Sequence, residues 1–143
     1  MVGIDTTVLV HLEILESAEH LRAHEWLRSE ILNGEEQIAL VPQVLLEFIH
    51  VVTDSKRFQT PLTMDEALAR ARFWWNAVEV RHVYPTSESS VLFFDWMAKH
   101  GLGRKRLLDT FLAATLWTAG VRRIASGNVR DFSLFAGFEV VLA

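Results

Sequence analysis

An α/β domain built on a mainly parallel sheet is the architecture this sequence predicts. Three observations carry the prediction. Short apolar runs alternate with longer segments of helical periodicity. Those runs end at residues that stop a strand or open a helix: Asp5, Pro42, Pro85 and Gly127. With 143 residues, half of them hydrophobic, the chain can bury one continuous core but not two, so residues 1–143 read as a single domain.

Met1 to Ile4 is the first strand candidate, and Asp5 stops it. A further apolar run follows, "TTVLV". Ser17 to Asn33 reads as a helix with Ala23, Trp26, Leu27 and Ile31 on one face, closed by Gly34. "QIALV", Gln37 to Val41, is a second strand candidate. Pro42 then suits the first turn of a helix through "QVLLEFIHVV", because that turn has no use for an amide hydrogen. Thr63-Met64-Asp65-Glu66 is a capping box, and Met64, Ala67, Leu68, Ala71, Trp74, Trp75 and Val78 follow at helical spacing.

Arg81 to Tyr84 makes a third strand candidate, stopped by Pro85; Thr86 or Ser87 can cap a helix reaching His100. "GLGRKR" is a basic break. A helix from Asp109 to Ala119 ends at Gly120, followed by the strand candidate "RRIAS", the polar loop "GNVRD" and a last strand "FEVVL". No repeat, low-complexity tract or linker interrupts this order.

In parallel βαβ units, strand C-termini and helix N-termini share one edge of the sheet, and ligands bind there. Asp5 follows the first strand, Glu47 lies early in the helix after "QIALV", Asp109 opens the helix before "RRIAS", and Asp131 lies just past that strand. Four acids are therefore expected to converge. Each has a plainer role open to it, as a turn residue, an exposed helix position or an N-cap. Together, ionised carboxylates at close quarters repel and favour a cation between them. With no cysteine in the chain, hard oxygen donors select Mg²⁺ or Mn²⁺. Asp95 is set aside, because Lys99 four residues on can pair with it. His11, His24, His50, His82 and His100 show no metal-ligand spacing.

A formal charge of −4 argues against coating nucleic acid by bulk electrostatics. Carboxylates that hold divalent cations, however, attract phosphate. No apolar run is long enough to cross a bilayer, and the N-terminus lacks the features of an export signal, so a cytoplasmic protein without membrane attachment is expected.

The segments "GIDTTVLV", "VPQVLLEFIHVV", "RKRLLDTFLAATLWTAGVRRIASGNVRDF" and "FEVV", in this order and over nearly the whole chain, resemble the PIN-domain ribonucleases, and among them the VapC-like toxins of toxin–antitoxin pairs. The resemblance implies an α/β/α sandwich and a metal-dependent endoribonuclease. The family's four acids fall on Asp5, Glu47, Asp109 and Asp131. Its small polar residues fall on Thr6, Ser126 and Asn128, with Gly127 making "SGN" more flexible than the usual pattern. It further implies an RNA substrate, a cognate antitoxin and a homodimer.

On this reading the acids hold one or two Mg²⁺ or Mn²⁺ ions that acidify a water, while Thr6, Ser126 and Asn128 orient ligands or touch phosphate. Arg104, Lys105 and Arg106, just before Asp109, and Arg130, beside Asp131, are the expected phosphate contacts. Arg122 and Arg123 are expected to pair locally. Trp74 and Trp75 are adjacent and cannot both face inward, so one is expected to meet another protomer or an antitoxin. Two other readings remain open: a catalytically silent PIN-like module that binds RNA or protein, and a nuclease or esterase acting on DNA or a small phosphate ester. The lack of an aspartate two positions after Asp5 counts against phosphatase chemistry.

Overall fold

A computed structural model describes residues 1–142. Five strands form one sheet: β1 (Val2–Ile4), β2 (Ile38–Leu40), β3 (Val80–His82), β4 (Arg123–Ser126) and β5 (Glu139–Leu142). Their order is β3-β2-β1-β4-β5, and every pairing is parallel. Parallel neighbours require crossover helices, and these cover the sheet's faces.

Seven α-helices make the crossovers: α1 (Thr6–Glu13), α2 (His20–Trp26), α3 (Pro42–Val52), α4 (Met64–Asn76), α5 (Ser87–Lys99), α6 (Leu107–Thr118) and α7 (Val129–Ser133). They pack as two sets, α1 with α2 and α3 and α3 with α4, then α5 with α6 and α6 with α7. The result is the expected α/β/α sandwich.

The central strand β1 is buried along its length, as are Ile38 to Val41 and Ile124 to Ser126. Continuous apolar runs are what strands covered on both faces require. Gly3 lets α6 approach: a Cβ there would lie 2.5 Å from Leu116 Cδ1. The helix caps follow the sequence closely. Thr63 and Glu66 close a reciprocal capping box on α4, and Thr86 caps α5 with Ser89. Pro42 occupies the first turn of α3.

Several boundaries differ from expectation. "TTVLV" begins α1, a whole helix the periodicity did not reveal, because Val8, Leu9, Val10 and Leu12 are all buried and eight residues are too few to establish a period. The helix expected over residues 17–33 is α2 continued by a π-helical segment, Leu27–Leu32. The chain at Gly34 passes so close to the Glu30 carbonyl that no side chain fits. α6 starts at Leu107 after a 3₁₀ turn at Arg104–Arg106, which puts Asp109 inside its first turn rather than at its start. The "GNVRD" loop contains the short helix α7. β3 runs from Val80 to His82, not to Tyr84, because Pro85 and the approach to α5 carry the chain off the sheet.

The outward tryptophan finds its partner within the chain. Trp74 is buried and donates its indole N–H to Glu13 Oε1 at 2.8 Å, and Trp75 stacks on His82 with ring centroids 3.4 Å apart. As expected, Arg122 and Arg123 pair locally: Arg122 lies over Trp117, and Arg123 bridges Glu36 and Glu139. Among the described residues, no helix is long and apolar enough to cross a membrane.

Candidate active site

The strand order fixes where a ligand can bind. From β1 the chain crosses to β2 and β3 on one side, then returns to lay β4 and β5 on the other. The direction of winding therefore reverses between β1 and β4, and a crevice opens at their C-terminal ends. Asp5 follows β1 directly, and Ser126 ends β4.

Asp5 is buried, with 3% of its surface exposed, yet its carboxylate is well supplied with donors. Oδ1 accepts from the Thr6 amide at 2.8 Å. Oδ2 accepts from Thr7 Oγ1 at 3.0 Å and Ser126 Oγ at 2.8 Å. Thr7 Oγ1 in turn accepts from the Gly127 amide at 3.1 Å, and Ser126 Oγ accepts from the Asn128 amide at 2.8 Å. The turn after β4 is thus laced to the start of α1. Burial raises the pKa of Asp5 above the ordinary carboxylate value, the donors from Ser126, Thr7 and Thr6 oppose this, and the charge of Glu47 adds to the rise.

Glu47 reaches the same place from α3. Its Oε2 accepts from Thr6 Oγ1 at 3.0 Å and its Oε1 from Gln43 Nε2 at 2.9 Å. Gln43 lies one turn earlier on the helix and donates also to the Leu108 carbonyl at 2.9 Å, tying α3 to the start of α6. Its own Oε1 is buried without a partner.

Asp109 completes the cluster electrostatically. Its pKa is pushed up to about 7, first by burial and then by the negative charges of Asp5, Asp131 and Glu47, with Arg106 pulling the other way. The other three acids all act on Asp109, so the four lie within one another's electrostatic reach. Arg106 donates to the Asp131 carbonyl, and its Nη1 lies 3.8 Å from Asp131 Oδ1. It therefore holds the α7 turn against α6, and its expected role as a phosphate contact competes with this bond.

The sequence-predicted residues distribute as follows. Asp5, Glu47, Asp109 and Asp131 come to one edge, with Thr6 and Ser126 bonded to the acids. Asn128 contributes its backbone amide; its side chain makes no capping bond. Arg104, Lys105 and Arg130 are exposed. Asp95 is exposed on α5 and is not among the charges acting on Asp109. Sequence reasoning missed Gln43 and Thr7. Both carried a signal, one at helical i, i+4 spacing from Glu47 and the other a hydroxyl two residues after Asp5.

Among the described residues, no three acidic or imidazole groups are clustered tightly enough to enclose a metal ion. The donor set nonetheless suits a hard divalent cation. Mg²⁺ is commonly held by one or two carboxylates with water filling the other positions. Carboxylates that disfavour one another's ionisation are relieved by such a charge. Asp5 and Glu47, each held by hydrogen bonds, would be its donors, and Asp109 and Asp131 would complete the negative field.

No family model matches this chain, and no curated protein matches it in sequence. Solved structures do match in fold. VapC20 of Mycobacterium tuberculosis, a toxin that cleaves the sarcin–ricin loop, aligns with a TM-score of 0.72 at 18% identity over 97% of each chain. VapBC2 of Rickettsia felis, bound to a DNA fragment from its promoter, aligns at 0.67 and 13% identity over 100% of this chain and 99% of the other. FitAcB of Neisseria gonorrhoeae aligns at 0.67 and 18% identity over 98% and 96%. The chain has the fold of the VapC toxins, the PIN-type α/β/α sandwich that its sequence motifs resemble.

Proposed function

We propose that this protein is a divalent-metal-dependent endoribonuclease and the toxin of a toxin–antitoxin pair. One observation carries the reading: four acids from separate elements meet at the switch point of a parallel sheet, where burial first, and then the charges of the other three, raise the pKa of Asp109 to about 7. The full-length fold likeness to VapC20 supports RNA as substrate, and the likeness to VapBC2 supports an antitoxin partner.

A bound Mg²⁺ or Mn²⁺ would supply acidification of water near neutral pH and neutralisation of charge on the phosphodiester. The chain's own residues do the rest. Thr6, Thr7 and Ser126 fix both oxygens of Asp5, and Thr6 with Gln43 fixes Glu47, so donors are oriented before any ligand arrives. Asp109 and Asp131 provide the remaining negative field. Arg104, Lys105 and Arg130 contact flanking phosphates from the exposed rim. Water attacks phosphorus, the bond to the 3′ oxygen breaks, and that oxygen takes up a proton, leaving a 5′-phosphate and a 3′-hydroxyl.

The test is incubation with a mixed RNA pool in Mg²⁺ or Mn²⁺, with excess chelator as the control. Cleavage that requires the metal and vanishes in a folded Asp5→Asn variant is the expected result. Cleavage that persists in chelator, or survives Asp5→Asn, overturns the mechanism. Folded wild-type protein that leaves the RNA intact under all conditions points to the silent binding module instead.

A further inference from the structure

A cavity of about 340 Å³ opens beside the acids, and Thr6 and Thr7 form the wall between them. Its size lies at the lower end of the roughly 300–1,000 Å³ typical of small-molecule sites. Val10, Val51 and Phe58 make it largely apolar. The polar groups are concentrated on one side, where His11, Ser17 and Glu19 are linked.

Ser17 Oγ lies 2.7 Å from His11 Nδ1 and 3.4 Å from Glu19 Oε2, so the three side chains form one linked group. His11 Nε2 faces Thr7 and Gly127, toward the acids: a Cβ added at Gly127 would lie 3.4 Å from both Nε2 and Thr7 Oγ1. Burial lowers the pKa of His11, consistent with a neutral ring. The wall therefore presents a carboxylate beside an imidazole. Arg57 supplies a cation at the exposed side.

We propose that this cavity receives one unstacked guanine of the RNA, read on its Watson–Crick edge by the Glu19 carboxylate, with His11 alongside. Guanine alone among the four bases carries two adjacent donors on that edge, N1–H and the 2-amino group, which a carboxylate can accept together. Adenine and cytosine would set a ring-nitrogen lone pair against the carboxylate, and uracil flanks its single N–H with two carbonyls. Sequence-selective RNA recognition works on such splayed-out bases, with aromatic side chains offering a stacking face. Phe58 offers that face here. Because Thr6 and Thr7 are shared by cavity and acids, a base seated there belongs to a nucleotide next to the phosphate at the acids.

This inference rests on the ribonuclease reading for its biological sense, but its test needs no cleavage. The full-length protein, in chelator, is titrated with each of the four nucleoside 5′-monophosphates while the His11 imidazole resonances are followed by NMR. GMP is expected to shift them and to bind about tenfold more tightly than AMP, CMP or UMP. Glu19→Gln, checked for folding by circular dichroism, is expected to abolish that preference. Equal binding of all four nucleotides, no shift with any of them, or a GMP preference that survives Glu19→Gln overturns the proposal. So does an arginine-containing peptide that moves the same resonances where GMP does not, since the cavity would then be a protein-binding site. RNA cleavage without a GMP preference removes this proposal alone; GMP binding without RNA cleavage removes the nuclease reading alone.

Discussion

Ser126, the last residue of β4, donates its hydroxyl to Asp5 Oδ2 at 2.8 Å, joining positions 121 residues apart. Ser126 Oγ also accepts from the Asn128 amide, so one hydroxyl aligns the buried acid and shapes the turn that carries Asp131.

Ser126→Ala is therefore expected to weaken both. The buried Asp5 carboxylate would lose one of its three donors, costing about 1–3 kcal/mol of stability. RNA cleavage should fall roughly 10–100-fold, the usual consequence of removing a group that orients a ligand. Urea unfolding and cleavage assays on the same preparations check both. Full activity in a destabilised variant would show that Ser126 serves only the fold.

Asp109 makes a prediction in pH. Its folded pKa of about 7 stands above the ordinary 3.8, so its favourable contribution is complete below about pH 4 and is lost as pH rises to about 7. Asp5, shifted in the same direction, adds to this loss. Glu36, whose pKa is lowered mainly by its bond from the N-terminal amine, acts oppositely but is common to wild type and variant. Asp109→Asn should thus gain stability relative to wild type between about pH 4 and pH 7, then hold a constant advantage above. Thermal denaturation of metal-free protein across this range tests the sign. Mn²⁺ should raise the wild-type melting temperature more at pH 8 than at pH 5, and a pH-independent shift would contradict the shared-field reading.

Gln43→Ala would free Glu47 and cut the tie to the Leu108 carbonyl. Cleavage should drop roughly 10–100-fold with weaker Mn²⁺ uptake, while unfolding free energy changes by only about 1 kcal/mol. Calorimetric metal titration beside the cleavage assay distinguishes this from general destabilisation.

Gly3→Ala tests the packing under the site. The new methyl would meet Leu116 Cδ1 at 2.5 Å, and relieving that contact means shifting the buried Leu116 side chain or α6, which bears Asp109. A cost of about 1–3 kcal/mol is expected, read as a lower urea midpoint. An unchanged midpoint would mean that Leu116 repacks freely.

Much of this was legible in advance because its physics is local. Strand-stopping residues, capping boxes and Pro42 each act within a few positions, so α4, α5 and the entry to α3 could be read from adjacent residues. The convergence of four acids followed from the parallel βαβ rule alone. What was not legible depends on distant burial. α1 has eight residues, five of them buried, and α7 only five residues in which to show a period. That Trp74 and Trp75 face different ways was legible from their adjacency, but the stacking of Trp75 on His82, which lies on a different element, was not. The role of Arg106 at Asp131 likewise spans 25 positions and has no local signature.

The lacing between Asp5 and the turn after β4 also bears on when the protein becomes competent. A chain emerging from the ribosome displays Asp5 early, but the hydroxyl that aligns it and the acid at position 131 are synthesised only after four of the five strands. Until then Asp5 lacks the hydroxyl that aligns it, and the acidic field at Asp109 lacks one of its members.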